Sequence, residues 1–145
     1  MKTRNQLSSE NRDQKTVFIV EDDQDLLEFY TLILNNEGWS ILGTIDNGEV
    51  AQLEYKKLNE KPDVIILDIR LPGCSGLDVA KKILEINPNQ AILFISGHID
   101  HLLNDPVLKK FSSLRKPFTS SSLIQKLNHL IVEINNRLSR LFPSF

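Results

Sequence analysis

The chain has 145 residues, enough for one ordinary domain with little to spare. Its 41% hydrophobic and 25% charged residues allow a packed core and exclude wholesale disorder, and a net charge of −2 gives no general footprint for direct nucleic-acid binding. A lone cysteine, Cys74, excludes an internal disulfide framework and a cysteine-based zinc site; no apolar run approaches the ~20 residues that span a bilayer, so a soluble cytoplasmic chain off the membrane is expected.

Residues 1–14 are polar, lack the apolar centre of a signal peptide and are expected as a disordered tail or a remnant of expression. From residue 16 onward, apolar runs alternate with helical periodicity. Val17–Val20 is a continuous apolar run, read as a buried strand, and it ends at Glu21, Asp22 and Asp23. Leu26 to Leu34 repeat at helical spacing, with Asp23 and Asp25 as capping acids and Gly38 placed to end the helix. Trp39–Thr44 is the second strand, and Asp46-Asn47-Gly48 is turn chemistry before a helix marked by Val50, Leu53 and Leu58. Val64–Leu67 is the third strand, closed by Asp68. After Leu71-Pro72-Gly73 come Leu77, Val79, Ala80, Ile83, Leu84 and Ile86 on one helical stripe, stopped at Asn87-Pro88-Asn89. Ala91–Ile95 is the fourth strand, ending at Ser96-Gly97. A weaker helical segment, Ile99–Lys110, contains Pro106, which should interrupt it. A short strand around Ser113–Arg115 precedes Lys116-Pro117, and a long helix runs from about Ser120 to Leu141.

This alternation predicts an α/β fold: a (βα)5 doubly wound, five-stranded parallel sheet with helices on both faces. In such sheets the site lies beyond the carboxyl ends of the strands. Glu21, Asp22 and Asp23 stand after the first strand, Asp68 closes the third, Ser96 the fourth, and Lys116 follows the fifth. Glu21, Asp22 and Asp68 would crowd three negative charges, which Lys116 and a divalent cation together neutralise. Oxygen-only ligands suit Mg2+ (or Mn2+), and an aspartate beside such a metal is a competent nucleophile toward phosphorus. Ser96 is placed to donate its hydroxyl to a phosphoryl oxygen.

Three stretches carry a family resemblance: Val20-Glu21-Asp22-Asp23, the run from Pro62 through Asp68 to Gly73 with Ser75-Gly76-Leu77, and Lys116-Pro117-Phe118. Together with Asn47–Ala51 they resemble the receiver domains of two-component response regulators over about residues 15–132. The resemblance implies a flavodoxin-like receiver fold and a phosphorelay role, not an enzyme beyond slow autophosphorylation from small donors and autodephosphorylation. It implies Asp68 as phosphoacceptor. Glu21, Asp22, Asp68 and the Arg70 backbone carbonyl become metal ligands, and Ser96 and Lys116 phosphoryl-binding switch residues. It also implies that Arg70 and His98 tune phosphoryl lifetime, that the Lys116–Pro117 bond is cis, and that the partner is a sensor histidine kinase or phosphotransfer protein.

Two features depart from the family. The position of the switch aromatic, three before Lys116, is Ser113, and the stretch from Ser96 to Lys116 is about two residues short. Both support an alternative: a degenerate receiver acting as a constitutive protein-binding module. A phosphatase of the haloacid-dehalogenase kind would need a second aspartate where Arg70 stands, and a dinucleotide site would need glycines where the acids follow the first strand. Finally, Leu127, Ile131, Ile134, Leu138 and Leu141 follow coiled-coil spacing. Residues 133–145 are therefore expected as a helical extension, with Ile134, Leu138 and Leu141 left uncovered for a homodimer.

Overall fold

The aliphatic runs become five strands in the computed structural model, which describes residues 14–98 and 100–143. They are β1 (Thr16–Val20), β2 (Ser40–Ile45), β3 (Val64–Asp68), β4 (Ala91–Ser96) and β5 (Ser112–Arg115). All pairs are parallel, in the order β2-β1-β3-β4-β5, which is the flavodoxin-like doubly wound sheet. β1 and β3 are buried along their whole length, as is β4 after Ala91. Burial on both faces explains why these strands read as continuous apolar runs rather than alternating ones.

The helices are α1 (Gln24–Asn36), α2 (Gly48–Lys57), α3 (Gly76–Ile86), the single turn α4 (Asp100–Leu103) and α5 (Ser120–Leu141). α2, α3 and α4 cover one face through Ala51, Tyr55, Val79, Ile83 and Leu102; α1 and α5 cover the other through Tyr30, Leu34, Leu123, Leu127 and Leu130. Each long helix starts on a side-chain cap. Asp23, Asn47 and Ser75 accept from backbone N–H groups of the first turn, and Thr119 forms a capping box with Ser122. Gly38, at φ 80°, lets the chain reverse after α1.

The structure moves some expected boundaries. β2 begins at Ser40 because Trp39 is drawn into the core and donates its N–H to the Leu34 carbonyl (2.9 Å), closing α1. The segment around Pro106 breaks as expected, into α4 and a 3-10 turn at Leu108–Lys110. Asp105 organises the break: it accepts from the N–H groups of Val107 and Leu108 and pairs with Lys81 of α3 at 2.8 Å. The tail expected over residues 1–14 lies outside the described residues except for Gln14, as does Ile99.

One expectation for α5 is corrected. Ile134 is not bare: it is half-buried and packs with Ile131 on the core beneath α1 and α5. The domain extends further under the helix than expected, since the Arg137 guanidinium one turn on still lies 3.5 Å from the Asn89 carbonyl. Leu138 and Leu141 do stand clear, at 49% and 65% exposure.

Candidate functional site

Strand register builds the site. β1 and β3 align Val20 with Leu67, β3 and β4 align Asp68 with Ile95, and β4 and β5 align Ser96 with Arg115. Glu21, Asp68, Ser96 and Lys116 therefore emerge side by side at the carboxyl edge. They flank the boundary between β1 and β3, where the strand order reverses. The register is pinned from the opposite end by Asp63, whose carboxylate accepts from the Thr16 N–H (2.9 Å) while its own N–H donates to the Thr16 hydroxyl (2.9 Å).

Lys116 holds the acids together. Its ammonium donates to Glu21 Oε1 at 3.2 Å and Asp68 Oδ2 at 3.0 Å. Asp68 Oδ1 accepts from the Arg70 N–H at 3.1 Å, and Glu21 Oε2 from the N–H groups of Asp22 (3.0 Å) and Asp23 (3.4 Å). Glu21 and Asp68 are buried, whereas Asp22 is exposed. The Lys116 N–H donates to the Ser96 carbonyl (3.0 Å), and the Ser96 hydroxyl accepts from the His98 N–H (3.0 Å). The Lys116–Pro117 peptide is cis.

Burial pushes the Glu21 carboxyl up to about 8, with help from a hydrogen bond to Asp68 and its charge, against the opposing pull of Lys116. Burial also works against the Lys116 ammonium, but its hydrogen bond to Asp68 and the two carboxylate charges outweigh that and hold its pKa above the usual lysine range. One lysine thus does not balance the acids. One oxygen each of Glu21, Asp22 and Asp68 lie within 4.8 Å of one another. An all-oxygen, charge-excess cluster of this size fits a hard divalent cation such as Mg2+, which keeps several waters beside one or two carboxylates.

Among the other residues singled out, Arg70 and His98 are exposed beside the site and touch it through their backbone N–H groups. Ser113 lies on β5 opposite Phe94, half-buried; the aromatic contact to Phe94 comes instead from Phe111, edge-on at 6.1 Å. One residue that shapes the site was not singled out as such. Gly76 donates its N–H to the Ile69 carbonyl (2.7 Å), and a Cβ there would overlap the Asp68 carbonyl oxygen. Only glycine lets the loop after β3 fold so tightly behind Asp68, and its place in the Ser75-Gly76-Leu77 stretch was the available signal.

The response regulator receiver domain model matches residues 17–128. The chain is 31% identical over 116 residues to the chemotaxis protein CheY of Thermotoga maritima, covering 79% of this chain and 95% of that protein. It is 35% identical over 119 residues to the transcriptional regulatory protein CssR of Bacillus subtilis, covering 80% of this chain but 51% of that protein. This chain therefore spans about half the length of that regulator. Among solved structures, the CheX–CheY–BeF3–Mg2+ complex from Borrelia burgdorferi is similar at 27% identity and a TM-score of 0.74, covering 81% of this chain and 89% of that one. No helix among the described residues is long and apolar enough to cross a membrane. Motif order, strand order, strand-edge chemistry and these likenesses agree: the chain belongs to the response regulator receiver domain family of two-component signalling.

Proposed function

We propose that this receiver domain is a cytoplasmic phosphoacceptor switch, phosphorylated on Asp68 with Mg2+ (or Mn2+) by a sensor histidine kinase or phosphotransfer protein. The observation that carries this reading is the Asp68 carboxylate itself. It is buried, bonded to Lys116 at 3.0 Å, and shares a 4.8 Å cluster with Glu21 and Asp22. In the reaction a carboxylate oxygen of Asp68 bonds to phosphorus as the donor's bond to phosphorus breaks, and the donor leaves with that electron pair. Glu21, Asp22, Asp68 and the Arg70 carbonyl would hold the cation, which supplies positive charge against the phosphoryl oxygens. Lys116 adds a second positive charge, and the Ser96 hydroxyl, turning from its acceptor role, donates to a phosphoryl oxygen. Arg70 and His98, exposed at the rim, govern how readily water reaches the acyl phosphate.

A second reading, a degenerate receiver that binds a partner constitutively, is favoured by Ser113 at the switch position and by α4 being reduced to one turn. A beryllofluoride titration with Mg2+, followed by amide NMR, separates the two. A saturable, Mg2+-dependent response reaching β5 and the segment after β4 supports the switch; no response supports the constitutive module. We also propose weak homodimerisation through the end of α5. Ile134 now lies at the margin of the contact, and Leu138 and Leu141 at its centre.

A further inference from the structure

Two stretches of chain leave the carboxyl edge, one after Asp68 and one after Ser96, and an ion pair joins them further on. α3 begins at Gly76, directly behind Asp68, and carries Lys81 in its second turn; the chain after Ser96 leads to α4 and then to Asp105. The Lys81 ammonium meets Asp105 Oδ2 at 2.8 Å. Through Oδ1 the same carboxylate accepts from the N–H groups of Val107 (2.9 Å) and Leu108 (3.0 Å). Pro106 has no N–H and bars a longer helix, so this carboxylate supplies bonds that helical turns would have made. The Asp105 side chain is 13% exposed and Lys81 51%: one end of the pair is fixed, and the other reaches in from solvent. Leu102 and Leu108 are buried on either side of Asp105. Among the described residues, no other ion pair joins the segment between β4 and β5 to a helix.

We propose that the Lys81–Asp105 pair is a strap: it holds the segment between β4 and β5 to α3 in the phosphoryl-free domain and restrains the shift that phosphorylation asks of that segment. The proposal rests on the reading of Asp68 as acceptor and of Ser96 as the hydroxyl that turns to the phosphoryl group. At one end of the segment the His98 N–H donates to the Ser96 hydroxyl (3.0 Å), so a turning Ser96 pulls on the chain that leads to α4. At the other end the strap anchors Asp105 to α3, whose first residue, Gly76, is itself bonded to the Ile69 carbonyl (2.7 Å). An interaction made in one state and lost in the other biases the equilibrium by its own free energy. The strap therefore favours the phosphoryl-free arrangement. As a partly exposed ion pair it is weak and screened by salt, which suits a restraint that a phosphoryl group has to overcome.

Lys81→Met tests it, because the substitution keeps an unbranched apolar side chain and removes the charge. Asp105→Asn is the second variant, since its amide oxygen can still accept from Val107 and Leu108. Wild type, both variants and Lys81→Arg are titrated with beryllofluoride at saturating Mg2+, and amide exchange is followed over α4 and the 3-10 turn. We expect the two variants that lose the charge to bind beryllofluoride about threefold more tightly than wild type, the scale of an exposed ion pair. Without beryllofluoride their amides between Leu103 and Lys110 should exchange faster, and Lys81→Arg should behave as wild type. Raised salt should narrow the gap between variants and wild type. Variants that bind beryllofluoride like wild type, even with a loosened segment, would separate the pair from the switch and overturn the proposal. Weaker binding would place the pair in the phosphoryl-bound arrangement and overturn it as well. If wild type takes no beryllofluoride, the acceptor reading fails instead; unchanged amide exchange in the variants then overturns the strap, and faster exchange supports it.

Discussion

The carboxyl edge at β1 and β3 and the segment between β4 and β5 are built in opposite ways. At the edge, buried strands pair on both sides, backbone N–H groups fix the Glu21 and Asp68 carboxylates, and Lys116 joins them. Between β4 and β5 the described residues make one turn of α-helix and one 3-10 turn, plugged by Leu102 and Leu108 and tied by the Lys81–Asp105 pair, while Leu103 and Val107 stay exposed. Chemistry that needs several groups within hydrogen-bond reach demands the first kind of construction. In the second kind of construction neither turn makes a hydrogen bond to the site among the described residues, and Pro106 lies between the two turns.

Glycine substitutions test this contrast most severely. In Gly76→Ala the new Cβ would overlap the Asp68 carbonyl oxygen and stand 2.8 Å from the Ile69 Cα, so backbone must move. A loss of about 1–3 kcal/mol in denaturant unfolding is expected, the scale of overpacking against rigid surroundings. In Gly97→Ala, at the head of the looser segment, nothing lies within 4 Å of the new Cβ, and the change should stay within about 0.5 kcal/mol. Equal losses would erase the distinction between the two regions.

A smaller effect sharpens the electrostatic side. Burial pushes the Glu21 carboxyl up to about 8 in the fold against its ordinary 4.5, so the folded chain holds its proton more tightly than the unfolded chain does. Its contribution to stability is full below pH 4.5 and is lost as pH rises through about 8. Without Mg2+, unfolding titrations should show wild type weakening across that window, with a flatter profile for Glu21→Gln. Mg2+ affinity should rise over the same window, because cation and proton compete for one carboxylate. A wild-type profile as flat as the variant's would remove the raised carboxyl from the account.

The smallest stability effect is expected at the end of α5. Leu138 and Leu141 are exposed, so Leu138→Glu with Leu141→Glu should leave monomer unfolding nearly unchanged. In sedimentation at tens of micromolar, wild type should show dimer that the double variant lacks. A monomeric wild type would end the self-association proposal.

The three central strands were legible because burial on both faces writes continuous aliphatic runs, and each of these runs stops at a residue of the acidic or hydroxyl set. The cap at Asp23 was legible from its place before the helical repeat, whereas Asn47, which reads as turn chemistry, proves to be the cap of α2. What stayed hidden depends on distance through space. Gly76 looks like any loop glycine until the chain folds back on Asp68. Asp63, one residue before β3, carries no sign in the sequence that it clips β3 to β1 through Thr16. Ile134 was misjudged because helical spacing says which face is apolar, not how far the domain beneath it extends.

The central claim is that Asp68 accepts a phosphoryl group in a cation-dependent reaction. Intact-mass measurement after incubation with acetyl phosphate tests it directly, on wild type with Mg2+, wild type with a chelator, and Asp68→Asn with Mg2+. One phosphoryl adduct on wild type with Mg2+, absent from the other two samples, is the predicted result. A variant labelled as fully as wild type, or no adduct on wild type at any donor concentration, would contradict it.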